Sequence, residues 1–386
     1  MRPELFRDSP SGRAVRTPAG YWAFVPNPLP PALSWTPTLV GALSEADRAL
    51  GELAGLGRAL PNPHLLIRPF VRREAVLSSR IEGTQASLSE LYAYEAVRLA
   101  LFEPTPDVRE VYNYVRALER GLERLPTFPL SLRLIREVHA TLVEGVRGER
   151  QTPGEFRRSQ NWIGPAGSTP DNASYVPPPV LEMMDALDAF ERFLHAPSML
   201  PPLVSLGLLH YQFEAVHPFL DGNGRIGRLL LTLLLCAWDL VPEPLLYLSA
   251  YFEAQRQTYY DLLLAVSQRG QWEDWLAFFL RGVALQSRDA VVRIGRLQDL
   301  REWYRDQLQG ARIPARLLQV VDLLFAQPIL TVRQVEAAAG VNFTTAQRYV
   351  DQLVDLGMLR ESTGQARNRV YRAEEVLRAI EEPLKV

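Results

Sequence analysis

The chain has 386 residues, long for one compact unit, and the length alone suggests two or three domains. Apolar residues make up 47% and charged residues 22%, the balance of an ordinary folded protein with ample core. A net charge of −2 excludes a global pull toward nucleic acid or anionic membrane, and the single cysteine, Cys236, excludes an internal disulfide and a Cys-cluster zinc site.

The first twenty residues lack the apolar stretch of a signal peptide, and no segment approaches the ~20 apolar residues that span a bilayer, so a cytoplasmic location without membrane association is expected. Residues 1–40, rich in proline and aromatics, read as extended. Helical periodicity begins near Ser44, where S-E-A-D offers an N-cap. A second helix is predicted over 63–80, burying Leu65, Phe70, Val71 and Leu77 and stopping at Gly83. Further helices are predicted near 86–101, 107–124 and 130–146. The stretch 151–179 breaks the pattern with Gly, Pro, Ser and Asn, and reads as a loop with a short β-hairpin, a flap. Helices resume at 179–195, 202–216, 224–239, 250–269 and 271–308.

Three short helical patterns follow at 316–326, 332–339 and 344–356, with Gly340 and Gly357 ending the last two. Strand, turn and strand come next, which is the winged-helix order. Its third helix carries Asn342, Thr344, Thr345, Gln347 and Arg348, and its wing Arg367 and Arg369. Residues 311–386 hold ten basic and nine acidic side chains, so the sequence leaves DNA binding and a protein-docking or dimerising role equally open.

The chemistry concentrates in H-P-F-L-D-G-N-G-R-I-G-R, residues 217–228. Pro218 ends a helix at His217, which sets the imidazole at a fixed exit point. Gly222 and Gly224 let the backbone turn tightly and approach a ligand, and the next helix offers unpaired N–H groups, an anion cradle. Arg225 and Arg228, three apart, leave the first turn on one side, and Asp221 supplies a hard oxygen for Mg²⁺. A histidine, an aspartate, an amide and two arginines around such a cradle suit attack on a phosphoryl group.

This string resembles the Fic family signature H-P-F-x-D/E-G-N-G-R-x-x-R at every specified position. A chance match is on the order of one in 10¹¹ if residues are equiprobable. The resemblance runs from about 60 to 290 and implies a mainly α Fic helical bundle with a β-hairpin flap, to which the element order adds the winged-helix-like domain. It divides the chain into an extension with first helix (1–60), a helical region (61–105), a Fic core (106–309) and the C-terminal domain (310–386).

The resemblance implies a protein adenylyltransferase using ATP and Mg²⁺ on a Tyr, Ser or Thr hydroxyl of a protein, or of the chain itself. His217 would take the hydroxyl proton, Asp221 would hold Mg²⁺, and Asn223 with the Gly222 and Gly224 backbone would cradle the α-phosphate. Arg225 would reach the β-phosphate and Arg228 the γ-phosphate. Glycine at 224 favours AMP transfer, since the similar Doc-type kinases carry lysine there. Ser78, Glu82 and Gly83 fit the family's inhibitory S/T-x-x-x-E-G/N motif, which implies that Glu82 pairs with Arg228 and blocks the γ-phosphate. The flap, 160–176, resembles the hairpin that aligns the target by strand addition, with Ile163 and Gly164 nearest the nucleotide. Tyr259 and Tyr260 are candidates beside the adenine, whereas Tyr211 and Phe213 read as core. Two other functions use the same features: a hydrolase removing AMP with water oriented by Glu82, and a nucleotide-sensing DNA-binding regulator.

Overall fold

In the computed structural model, which describes residues 1–60, 62–97, 103–310, 314–365 and 368–382, the proline-rich start folds back on itself. Strands β1 (Gly12–Arg16) and β2 (Trp22–Pro26) pair antiparallel, from Gly12 opposite Pro26 to Arg16 opposite Trp22. The expectation of a merely extended segment is thus corrected. The cause is partly tertiary: Phe24 buries its ring against Phe6 and the distant Tyr175, at centroid distances of 5.4 and 6.0 Å. Its N–H donates to the Val176 carbonyl at 2.8 Å, which ties this hairpin to the flap.

Helix α1 (Pro37–Ala59) starts before the predicted Ser44, because the Thr36 hydroxyl accepts the Leu39 N–H at 3.2 Å and Pro37 lacks only an N–H that no helical partner would use. Helix α2 (His64–Ile81) lies within a residue of the prediction at each end; Phe70 and Val71 are buried, Leu65 and Leu77 half-buried. Then come α3 (Leu88–Val97), α4 (Pro106–Arg124) capped by Thr105, and α5 (Leu132–Leu142) capped by Ser131. The predicted end of α3 near 101 falls outside the described residues.

The flap region contains one isolated antiparallel pair, Ile163 with Tyr175, less than the full hairpin expected. Helices α6 (Val180–His195), α7 (Pro202–Val216) and α8 (Asn223–Ala237) follow as predicted. The single helix expected at 250–269 is two, α9 (Ser249–Ala254) and α10 (Arg256–Arg269), interrupted at Gln255. Helix α11 (Trp272–Gly310) packs along α1 and α7.

The C-terminal module runs α12 (Ala315–Ala326), β3 (Ile329–Thr331), α13 (Val332–Ala339), α14 (Phe343–Asp355), β4 (Arg360–Glu361), β5 (Val370–Arg372) and α15 (Glu374–Glu381). Strand β5 lies between β3 and β4, antiparallel to both. Sequence reading missed β3 and α15; Arg367 of the expected wing lies outside the described residues. The module shares one apolar core with the rest of the chain. Helix α12 packs on α2, β3 on α3, and α15 on both α11 and α2. The fold is mainly helical, as expected, and among the described residues no helix is long and apolar enough to cross a membrane.

Candidate active site

Helix α7 ends at His217, which adopts the left-handed conformation (φ 47°, ψ 61°) that a non-glycine residue rarely takes. The surroundings enforce it. Arg157, 1% exposed, donates through Nε to the His217 carbonyl at 3.0 Å, and Asn161 Nδ2 donates to the same oxygen at 3.2 Å. The imidazole Nδ1 faces the Glu214 carbonyl at 3.3 Å. A carbonyl can only accept, so Nδ1 carries the hydrogen and Nε2 keeps its lone pair. Burial, with the Arg157 charge, lowers this imidazole to about 4, so it is a neutral base at ordinary pH.

The loop after His217 is closed by Asn223. Its Oδ1 accepts the Phe219 N–H at 2.8 Å, and its Nδ2 donates to the Phe219 carbonyl at 2.7 Å. Asn223 is 3% exposed. Its side-chain amide thus shapes the cradle, and its backbone N–H stands at the opening of α8. Gly222, at φ 80°, makes the turn into α8, whose first internal bond runs from the Ile226 N–H to the Gly222 carbonyl at 3.0 Å. The N–H groups before it are the orphans that an anion satisfies.

The two arginines are held differently. Arg225 is fully buried, donating from Nη1 to Glu110 of α4 at 3.0 Å and lying 3.5 Å from Asp221. Glu110 holds it inside the protein, and burial raises the Glu110 carboxyl. Arg228 matches expectation. Its Nε donates to the Ser78 hydroxyl at 2.9 Å, and its Nη2 to the Ser78 carbonyl at 2.9 Å and to Glu82 Oε1 at 2.7 Å. Its Nη1 is buried with no hydrogen-bond partner among the described residues. Burial works to raise the Glu82 carboxyl, but the Arg228 charge and hydrogen bond outweigh it and hold it below its ordinary value. Gly83, at φ 102°, turns the chain away after Glu82. A Cβ placed on Gly224 would lie 2.3 Å from Glu82 Oε1, so the carboxylate rests on the bare backbone of that glycine.

Two domain descriptions match the chain, Fic/DOC family N-terminal over residues 40–123 and Fic/DOC family over residues 129–235. The chain belongs to the Fic/DOC family. The protein adenylyltransferase Fic of Drosophila yakuba is 28% identical over 165 residues, which is 40% of this chain and 30% of that protein. The protein of the same name from Aedes aegypti is 26% identical over 199 residues, 49% of this chain and 35% of that protein. The chain thus spans about a third of the length of these relatives. A Fic family protein from Desulfovibrio desulfuricans G20 shares the fold, with a TM-score of 0.56 and 18% identity over 89% of this chain and 98% of that one. Fic-1 of C. elegans (aa134–508) does so at 0.50 and 20%, over 66% and 73%.

Within this Fic/DOC site, Asp221 Oδ1 accepts the Gly222 N–H at 2.6 Å, while Oδ2 faces a cation, Arg147 Nε at 3.5 Å. A hard anionic oxygen of this kind fits Mg²⁺, which binds through one or two carboxylates and completes its shell with water and phosphate, while the Arg147 guanidinium competes for the same oxygen. Ile163 and Gly164 are exposed on the flap. Tyr259 is not an adenine contact: it is fully buried, its hydroxyl donating to His210 Nε2 at 2.8 Å while His210 Nδ1 donates to the Gly227 carbonyl. Tyr260, 37% exposed, faces outward with the Arg256 guanidinium 5.9 Å from its ring. Tyr211 and Phe213 are core, as read.

Sequence reading missed Arg157, Asn161 and Glu110, whose partners within the motif lie 56 to 115 residues away. It also missed His139. That ring accepts the Gly154 N–H at Nδ1 (3.0 Å), donates from Nε2 to the Asp221 carbonyl (3.0 Å) and stacks on Phe219 at 3.7 Å. Burial lowers it to about 4, which keeps it neutral and this tautomer intact.

Proposed function

We propose that the chain is a protein adenylyltransferase that transfers AMP from ATP to a protein hydroxyl and that Glu82 restrains it. The observation that carries the reading is a neutral imidazole, His217, with its Nε2 lone pair free, fixed beside the opening turn of α8. The target hydroxyl gives its proton to that nitrogen as its oxygen attacks the α-phosphorus, and the bond to pyrophosphate breaks. The orphaned N–H groups at the start of α8 stabilise the charge that builds on the phosphoryl oxygens. Asp221 would hold Mg²⁺, which would supply neutralisation of phosphate charge when bound with ATP. Arg228 offers its unpartnered Nη1, and its Nη2 once Glu82 leaves, to the terminal phosphate.

The names carried by the insect relatives support AMP as the transferred group, and the absence of a side chain at 224 agrees. The test uses purified chain with Mg²⁺ and ATP labelled either on adenine or on the γ-phosphate, supplied with a cell lysate. Wild type is expected to label weakly, Glu82→Gly strongly, and His217→Ala not at all, with the adenine label only. Transfer of the γ-label, or labelling that survives His217→Ala, would sink the proposal.

A further inference from the structure

The turn after α5 lies flush against the proposed metal ligand. Gly145 (φ 66°) and Gly148 (φ 92°) fold it tightly, the Gly145 N–H donating to Glu149 at 3.2 Å and the Gln151 N–H to the Gly148 carbonyl at 2.8 Å. Asn113 of α4 anchors its start by donating to the Leu142 and Glu144 carbonyls. A Cβ on Gly148 would sit 3.2 Å from the Asp221 Cβ, so no side chain separates the turn from that residue. Between these two glycines stands Arg147. Its Nε is 3.5 Å from Asp221 Oδ2, and its Nη2 is 3.7 Å from Glu110 Oε2.

The same two carboxylates therefore meet two guanidinium groups of opposite character. Arg225, fully buried, holds Glu110 at 3.0 Å and has no route to water. Arg147 is 55% exposed, touches both carboxylates loosely, and hangs on a long stem at the surface. We infer that Arg147 is a stand-in for the divalent cation: it neutralises the outward oxygen of Asp221 until the metal arrives with the nucleotide, then gives up the place and returns to solvent. This rests on the reading of Asp221 as the metal ligand.

The charge count leads to a definite sign. With Arg147 in place, two carboxylates face two guanidinium groups and the cluster is neutral. A divalent ion added beside Asp221 must either share the site with Arg147 or expel it. Expulsion is easy for Arg147, because an exposed ion pair is worth little and water solvates the freed charge. Replacing Arg147 by a neutral residue leaves Asp221 and Glu110 facing Arg225 alone, a site with one net negative charge. Such a variant binds the metal more tightly. A residue that merely braced the site would give no change or a loss.

The experiment measures binding of Mn²⁺ alone to the full chain by electron paramagnetic resonance of the free ion, without nucleotide. Arg147→Gln is expected to bind about tenfold more tightly than wild type, roughly the effect of one nearby charge at the protein surface. Arg147→Lys, which keeps the charge, should stay within about twofold of wild type. Equal or weaker Mn²⁺ binding by Arg147→Gln overturns the inference. Asp221→Asn serves as the separate control and should lose the binding. If Asp221→Asn binds as wild type does, the metal reading of Asp221 fails and takes the inference with it. If it loses binding while Arg147→Gln is unchanged, the role given to Arg147 alone is wrong.

Discussion

Glu82 Oε1 stands 2.7 Å from Arg228 Nη2, in a pair whose arginine is 1% exposed and whose glutamate is 28% exposed. Ser78, one helical turn earlier on α2, grips the same guanidinium through both its hydroxyl and its carbonyl. The glutamate is therefore the part of this grip that can leave without stripping Arg228 of every partner.

Removing it should have two opposite effects. Glu82→Gly is expected to label protein at least about tenfold faster, since each ~1.4 kcal/mol of competition lifted from the nucleotide is worth tenfold. It should also cost about 1–3 kcal/mol of stability, because a buried arginine loses its counter-charge but keeps two acceptors. Thermal unfolding with and without ATP checks the second effect, and ATP should restore more stability to the variant than to wild type. Equal labelling by the two proteins would remove Glu82 from any regulatory role.

The pH dependence follows from His217. An ordinary imidazole near 6.5 would cost activity below neutrality, whereas burial and the Arg157 charge depress this one to about 4. The base form is then complete above about pH 5 and is lost as pH falls through about 4. Profiles of kcat/KM for Glu82→Gly, which report groups of the free enzyme, should stay level from pH 7 to 5 where His217 is concerned. An acid limb centred near 6.5 that tracks the His217 imidazole by NMR would contradict this.

Glu110 is the counter-charge of Arg225, and losing it strands a fully buried guanidinium. Glu110→Ala should lose about 2–4 kcal/mol in urea unfolding, with Asp221 at 3.5 Å offsetting part of the loss. The double variant Glu110→Ala with Arg225→Met should recover part of it, because the stranded charge goes too. A double variant less stable than the single one would show that the arginine finds other partners.

Arg157 links flap to motif. Its guanidinium donates to the carbonyls of Ser159, Pro178, Val216 and His217, and its own N–H donates to the Pro218 carbonyl at 2.8 Å. Lysine keeps the charge but not the planar fork, so Arg157→Lys should lose about 2–4 kcal/mol of stability through unsatisfied carbonyls. In the Glu82→Gly background its kcat should fall more than its affinity for ATP, since the His217 carbonyl loses its anchor. A lysine variant with unchanged stability and kcat would reduce this network to a bystander.

Much of the site was legible because it is contiguous. His217, Asp221, Gly222, Gly224 and Arg228 sit within twelve residues, and the separate run from Ser78 to Gly83 met Arg228 as expected. Helices with strong apolar spacing and glycine stops were equally readable, as with α13 ending before Gly340 in the left-handed conformation. What failed was anything set by distant partners. The Glu110 that holds Arg225 lies 115 residues earlier, and no local pattern pointed to it. Tyr259 and Tyr260 are adjacent, and nothing in their spacing told which would turn inward to His210. Proline misled twice: it made 1–40 look merely extended, and it hid the start of α1 at Pro37, where proline is welcome. Helix α15 did carry a signal, since Val376, Leu377 and Ile380 recur on one face.

The contact between Gly224 and the Glu82 carboxylate has a consequence for how this backbone can diverge. A Cβ at 224 and an oxygen at 82 claim the same volume. A lineage that acquired a side chain at that glycine would have to shed or relocate the Glu82 carboxylate in the same step. Restraint by this route and a change of chemistry at the helix opening are alternatives that one chain cannot hold together.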